Sequence, residues 1–163
     1  MLFWAGCGRS SDTARIKNRF NPEVSHGEVR VVLLRAGPAD SAANQPGFCV
    51  TYGVEVPKNG AFSDLSFSSQ DEIDLVVGGK LLDFRGERSS GAMGFEDLPR
   101  HGELRQPALP DGKAMLFQNI TFTGLQVEGE RIDIRLRFSW RGTPLRFDFE
   151  GVPVGFNSAE QGQ

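Results

Sequence analysis

Cysteine is scarce: Cys7 and Cys49 are the only two in 163 residues, so the chain is no disulfide scaffold and has to hold itself together by burying hydrocarbon. Long apolar runs are missing as well. With nothing near the roughly 20 consecutive apolar residues that a bilayer demands, a bundle of transmembrane helices is excluded. Basic blocks are absent too. The net charge is −3 and the 18 lysines and arginines are scattered among 21 acids, a pattern that fits neither a general nucleic-acid binder nor a polybasic lipid-binding arm. Histidine is limited to His26 and His101, neither at a zinc-ligand spacing from another donor, which removes a zinc site. Gly91-Ala92-Met93-Gly94 lacks the lysine and the strand-to-helix setting of a phosphate loop, and no nucleophile elbow is present. No catalytic residue and no cofactor is therefore expected, calcium being the one exception considered below.

What the chain does have is 39% hydrophobic and 24% charged residues, with 13 phenylalanines, in a length suited to one globular domain that can remove roughly 70% of its unfolded surface from water. Between Gly27 and Pro153, apolar residues recur at every second position in short runs punctuated by Gly, Pro, Asn and Asp, and almost nowhere at helical spacing. This predicts an all-β fold: a two-sheet antiparallel β-sandwich of about seven or eight strands, because two half-polar sheets packed face to face hide the phenylalanines most economically. A β-barrel is the alternative. Residues 1–26 read as a signal remnant and flexible tether, 27–154 as the single sandwich domain, and 155–163 as a disordered tail.

Alternation is strictest over Arg131–Trp140, where charge and hydrocarbon change places at every residue. With Arg141-Gly142-Thr143-Pro144 as a four-residue loop, Trp140 faces Leu145, Phe138 faces Phe147 and Leu136 faces Phe149. The wet side then pairs Arg137 with Asp148 and Arg135 with Glu150. A second hairpin around Glu128-Gly129-Glu130-Arg131 would extend this to a three-strand meander over 114–152, with bulges near Asn119 and Gly124 or else burial on both faces of its first strand. Upstream, Val29 to Leu34 reads as a mostly buried strand, and Phe48, Val50, Tyr52, Val54 and Val56 mark the inner face of another. Pro57-Lys58-Asn59-Gly60 turns the chain toward a strand carrying Phe62, Leu65 and Phe67. Gly78-Gly79 suits a two-residue turn that sets Ile73 against Phe84 and Leu75 against Leu82. Cys49 shares a face with Thr51 and Glu55 and reads as an inert, covered thiol. Asn119-Ile120-Thr121 has the spelling of a glycosylation acceptor but is expected to be strand.

Two places draw functional interest. Residues 86–113 are rich in Gly, Pro and charge, contain no convincing strand and are long for a loop in a compact domain. That loop gathers Arg88, Asp97, Arg100, His101 and Arg105 as a candidate binding surface. In the Gly78-Gly79 register, Asp74 lies opposite Asp83, where like charges repel unless a cation or an arginine intervenes, so the pair is a candidate calcium site.

The first residues carry an address. Trp4-Ala5-Gly6-Cys7 resembles the lipobox of bacterial lipoproteins, in which the cysteine takes a diacylglycerol and small residues precede it. Trp4 stands where that family prefers leucine and no charged, apolar leader precedes it, so the signal is expected to be truncated. The resemblance implies lipidation at Cys7 and a place in the bacterial cell envelope, membrane-anchored by lipid alone; a cytoplasmic location is the alternative. Together with a sandwich and no catalytic constellation, it implies a noncatalytic domain for a protein or polysaccharide partner. A carbohydrate- or calcium-binding module is the alternative, and a hydrolase using Ser89 or Ser90 with Asp97 and His101 ranks third. Radiolabelled palmitate is expected to enter the full-length protein in bacterial cells and to be lost from Cys7→Ser; no incorporation beside a labelled control lipoprotein would defeat the anchor.

Overall fold

Arg131–Trp140 folds as its alternation requires: every even-numbered residue from Ile132 to Trp140 is buried and its odd-numbered neighbours are half-exposed. The computed structural model describes residues 20–40, 46–58, 61–67, 72–93 and 107–160. In chain order its strands are β1 (Glu23–His26), β2 (Val29–Asp40), β3 (Pro46–Pro57), β4 (Leu65–Ser66), β5 (Ile73–Val77), β6 (Lys80–Leu81), β7 (Arg88–Met93), β8 (Lys113–Thr123), β9 (Arg131–Trp140), β10 (Thr143–Pro153) and β11 (Phe156–Asn157). One sheet runs β1-β2-β3-β8-β7, with β11 beside β1 on the edge of β2. The other runs β10-β9-β5-β6, with β4 beside β5 on the edge of β9. All pairings are antiparallel and the sheets do not close on each other, so the fold is a β-sandwich rather than a barrel.

The interior is a layer of hydrocarbon from both sheets. Val29, Val31 and Leu33 of β2, Phe48 to Val56 of β3 at alternate positions, and Ile120 and Phe122 of β8 meet Ile132 to Trp140 of β9 and Phe147, Phe149 and Val152 of β10. Each such side chain fully withdrawn from water contributes about 1.5–3 kcal/mol before entropy is charged against it. Phe138 and Phe147 stack with ring centres 5.0 Å apart, and Phe147 also takes the edge of His26 at 4.8 Å. At that flank β1 lies against β10.

The β9–β10 hairpin is real, but its register differs from the expected one by two residues. Trp140 faces Thr143, Phe138 faces Leu145 and Leu136 faces Phe147. The turn is the two residues Arg141 and Gly142, with φ of 51° and 78°, the left-handed pair whose twist matches the strands it joins. An arginine in that region costs of order 1 kcal/mol. Its surroundings hold it there. Arg141 N donates to Asp64 O at 2.9 Å, its guanidinium pairs with Asp64 at 3.1 Å and Glu28 at 3.3 Å, and it lies 4.7 Å over the Trp140 ring. A shift of two preserves which face is buried, so the hydrophobic pattern could not distinguish the registers. On the wet face Arg137 consequently stands opposite Arg146, and Arg135 opposite Asp148.

The expected meander is not formed. β8 pairs with β3 and β7, and residues 124–130 carry the chain across to the other sheet, where β9 begins. β8 also contains no bulge: its register with β3 is unbroken from Pro57 opposite Lys113 to Gly47 opposite Thr123. Gly124, at φ 81°, ends the strand instead. The parity change in β8 arises because both faces are covered. Ile120 and Phe122 enter the sandwich, whereas Phe117 and Met115 pack outside it with Val32 and Leu34. A bulge lies in β2 instead, between Leu33 and Arg35, and it switches the inward-facing parity of that strand from Val29, Val31 and Leu33 to Ala36.

Three boundaries move. β1 takes residues 23–26 out of the expected tether, and Phe20 sets its ring against Phe156 at 5.0 Å. β11 and a 3-10 turn at Ser158–Glu160 take residues 156–160 out of the expected tail, with Phe156 buried. The expected strand after the Pro57 turn is mostly a 3-10 turn, Ala61–Asp64, followed by the short β4.

Where β11 lies along β2, backbones come very close. A Cβ on Gly37 would stand 2.8 Å from the Cα of Gly155, whose N–H donates to Ala36 O at 2.8 Å. Neither backbone can yield without breaking that bond. Gly37→Ala is expected to lower stability by about 1–3 kcal/mol, seen as a lower urea midpoint at unchanged slope. Gly91→Ala, where a Cβ meets nothing within 4 Å, should stay within about 0.5 kcal/mol of the parent.

Candidate binding cleft

Opposite the β1–β10 flank, the chain leaves one sheet and joins the other. Gly78 and Gly79, with φ of 59° and 80°, close the expected two-residue turn between β5 and β6. Val76 faces Leu81 and Leu82 N donates to Leu75 O at 2.8 Å, but the ladder then lapses and residues 82–87 run as coil to β7. The register that would set Asp74 against Asp83 is therefore formed at the turn and abandoned before those residues pair. β7 itself is a strand within the segment expected to be a loop. Its Ser89-Ser90-Gly91-Ala92 run is too small and polar to signal a strand, and what places it is the ladder to β8, Arg88 opposite Phe122 through Met93 opposite Phe117.

The gap between β5–β6 and β7 is a cavity of about 560 Å³, lined among others by Ile73, Asp74, Leu75, Asp83, Phe84, Arg85, Arg88 and Phe122. Phe84 and Phe122 meet edge to face at 5.5 Å and form part of its apolar floor. Gly86 lets the Phe84 ring fold back, since a Cβ there would stand 2.6 Å from its tip. Charge lines the rim. Asp74 is bound by Arg137 at 3.0 Å and Asp83 by Arg85 at 3.2 Å, so each carboxylate expected to hold calcium has an arginine beside it. Among the described residues no group of three or more His, Cys, Asp or Glu side chains is placed to hold a metal ion. The described lining contains no Ser, Cys, His or Lys, and what remains is a surface that donates through guanidinium and accepts through carboxylate.

Of the sequence candidates, Asp74, Asp83 and Arg88 are brought together here. Cys7, Asp97, Arg100, His101 and Arg105 lie outside the described residues. The hydrolase partners of Ser89 and Ser90 are among them. Asn119 is strand, and its side chain is occupied: Oδ1 accepts from the Cys49 thiol and the Thr51 hydroxyl, each at 2.7 Å, and Nδ2 donates to Thr121. Cys49 is thus a free, buried thiol under a polar cluster on the outer face.

Glu72, which in the sequence is only one more carboxylate near the Asp74 and Asp83 pair, is a buried group beside the cleft. Glu72, only 3% exposed, accepts a hydrogen bond from the Tyr52 hydroxyl at 3.1 Å, tying the start of β5 to the middle of β3 across the interior. Burial pushes the Glu72 carboxyl above its ordinary range, while the Tyr52 hydroxyl, the nearby Arg88 charge and the Ser90 hydroxyl pull the other way. Burial likewise raises Tyr52 well above the usual phenol value. The clue was present: Tyr52 is the only tyrosine and stands on the buried parity of β3, where a hydroxyl requires a partner.

A carboxyl raised in the folded state stabilises the fold while it is protonated and ceases to as pH climbs from the ordinary 4.5 through the raised value. Glu72→Gln, which keeps the acceptor for Tyr52, should therefore melt like the parent below pH 4.5 and at a higher temperature near neutrality. Equal melting across that range would show that the ionised carboxylate is not penalised.

The chain matches no known protein family, no curated protein and no solved structure.

Proposed function

We propose that this chain is a noncatalytic binding domain of the bacterial cell envelope, anchored by lipid on Cys7, which engages a polysaccharide at the flank cleft. The observation that carries the reading is the cleft's lining: Asp74 and Asp83 with Arg85 and Arg88, set around a floor that includes Phe84 and Phe122. Carboxylate oxygens accept from sugar hydroxyls, guanidinium groups donate to them, and an apolar floor suits the carbon faces of a pyranose ring. About 560 Å³ accommodates one or two such rings at the end of a longer polymer. The lipobox-like Cys7 supplies the envelope part of the proposal.

Fluorescence polarisation with a panel of labelled bacterial oligosaccharides is the test. At least one is expected to bind saturably. Asp83→Asn combined with Arg85→Gln should weaken it about tenfold, the magnitude of a lost charge-assisted hydrogen bond. Both side chains are mostly exposed, 73% and 87%, so the melting temperature should not move. No binder in the panel, or a binder indifferent to both substitutions, would overturn the cleft as its site.

A further inference from the structure

β7 is the last strand of its sheet, and its hydrogen bonds fix which backbone groups it leaves over. Thr123 N donates to Glu87 O at 2.9 Å, in register with the β7–β8 ladder, so Glu87 and Thr123 form a hydrogen-bonded antiparallel pair. Alternation then directs the N–H and C=O groups of Ser89 and Gly91 to Thr121 and Asn119 of β8. Those of Arg88, Ser90 and Ala92 point the other way, out of the sheet. Among the described residues no strand takes them up, and Ser89 to Ala92 are all exposed.

The other terminal strands are short or covered. β1, β4, β6 and β11 have four residues or fewer, and β10 carries Pro144 and Pro153 and lies against β1. β7 has six residues, no proline, no lysine and no break in its register, and its one charged residue, Arg88, stands at the end. What such an edge takes up depends on its side chains. Ser89, Ser90, Gly91 and Ala92 supply no apolar anchor, so a foreign strand would gain backbone bonds and nothing that selects it. The same strand turned about a two-fold axis through Ser90 fits without conflict. Arg88 then stands opposite the partner's Ala92, Ser89 opposite the partner's Gly91, and Ser90 opposite its own copy. No like charges meet, and the small side chains let the backbones approach. The groups of Arg88, Ser90 and Ala92 that point outward are the ones this register pairs, giving about six backbone bonds.

We propose that β7 is a homodimer edge, at which two copies join antiparallel through residues 88–92 and make one sheet continuous across both. The pairing closes at two copies, because each has one such edge. Little hydrocarbon is buried in it, so the dimer is weak, with a dissociation constant on the order of 100 µM. The edge is separate from the flank cleft in its chemistry, and the pairing does not depend on the polysaccharide reading.

Sedimentation equilibrium of the full chain from about 10 µM to about 1 mM tests it, and a monomer–dimer equilibrium is expected. Ala92→Pro removes an outward N–H and leaves the bonds to β8 intact, so it should stay monomeric throughout and melt like the parent in dilute solution. Ala92→Glu faces the partner's Arg88 and should tighten the dimer, whereas Ala92→Lys should loosen it, each by about threefold because the two-fold axis repeats the pair. A parent chain that stays monomeric, or a dimer that Ala92→Pro leaves intact, overturns the proposal. So does assembly beyond the dimer, or Ala92→Glu and Ala92→Lys moving the dissociation constant in the same direction. If Ala92→Pro melts early, the opposed shifts of the two charged substitutions decide the matter alone.

Discussion

Val50, Tyr52 and Val54 of β3 and Ile134, Leu136 and Phe138 of β9 all point into one water-free layer, and a polar atom that enters this layer must bring its own partner. Tyr52 brings Glu72, whose backbone carbonyl in turn accepts from Arg137 N at 2.8 Å. The interior thus fixes where β5 begins, and with it the position of Ile73, Asp74 and Leu75 on the cleft wall. A carboxyl kept inside the protein at some electrostatic cost is what ties the two sheets together at this flank.

The two flanks differ because the chain crosses between sheets differently at each. On one, β1 lies against β10 and the His26 and Phe147 rings fill the corner. On the other, the crossing is coil from Leu82 to Glu87, held by the Phe84–Phe122 contact and by the space left at Gly86. Coil that no longer pairs cannot bring the sheet edges together, and a cavity remains.

Charge on the outer faces follows the strand register. Arg30 joins Glu23 of β1 to the buried Glu55 of β3 at 2.7 Å and donates to Ala108 O at 3.0 Å, holding the segment before β8 against the first sheet. The two carboxylates keep Arg30 charged despite its partial burial, the hydrogen bond to Glu55 contributing most. On the second sheet, the row Asp148, Arg135, Asp74 alternates in sign across three strands, while the adjacent Arg146–Arg137 pair does not. One slip of two residues separates those outcomes.

Periodicity alone determined the fold class, the inner faces of β3 and β9, the Gly78-Gly79 turn and the two-sheet packing, because a period of two specifies which side of a strand is buried wherever it is strict. It could not choose between registers two residues apart, since both bury the same side chains; the left-handed Arg141, held by Asp64 and Glu28 from distant parts of the chain and by the ring of the adjacent Trp140, made that choice. Nor could it reveal β7, whose Ser-Ser-Gly-Ala core has no strand signal of its own, or assign β8 to the first sheet, because sequence neighbours need not be sheet neighbours. The cleft that unites Asp74, Asp83 and Arg88 was legible only as separate residues. Tertiary structure decided their meeting, because the hydrogen-bond ladder to β8 and the burial of Phe122 are long-range interactions that no local pattern encodes.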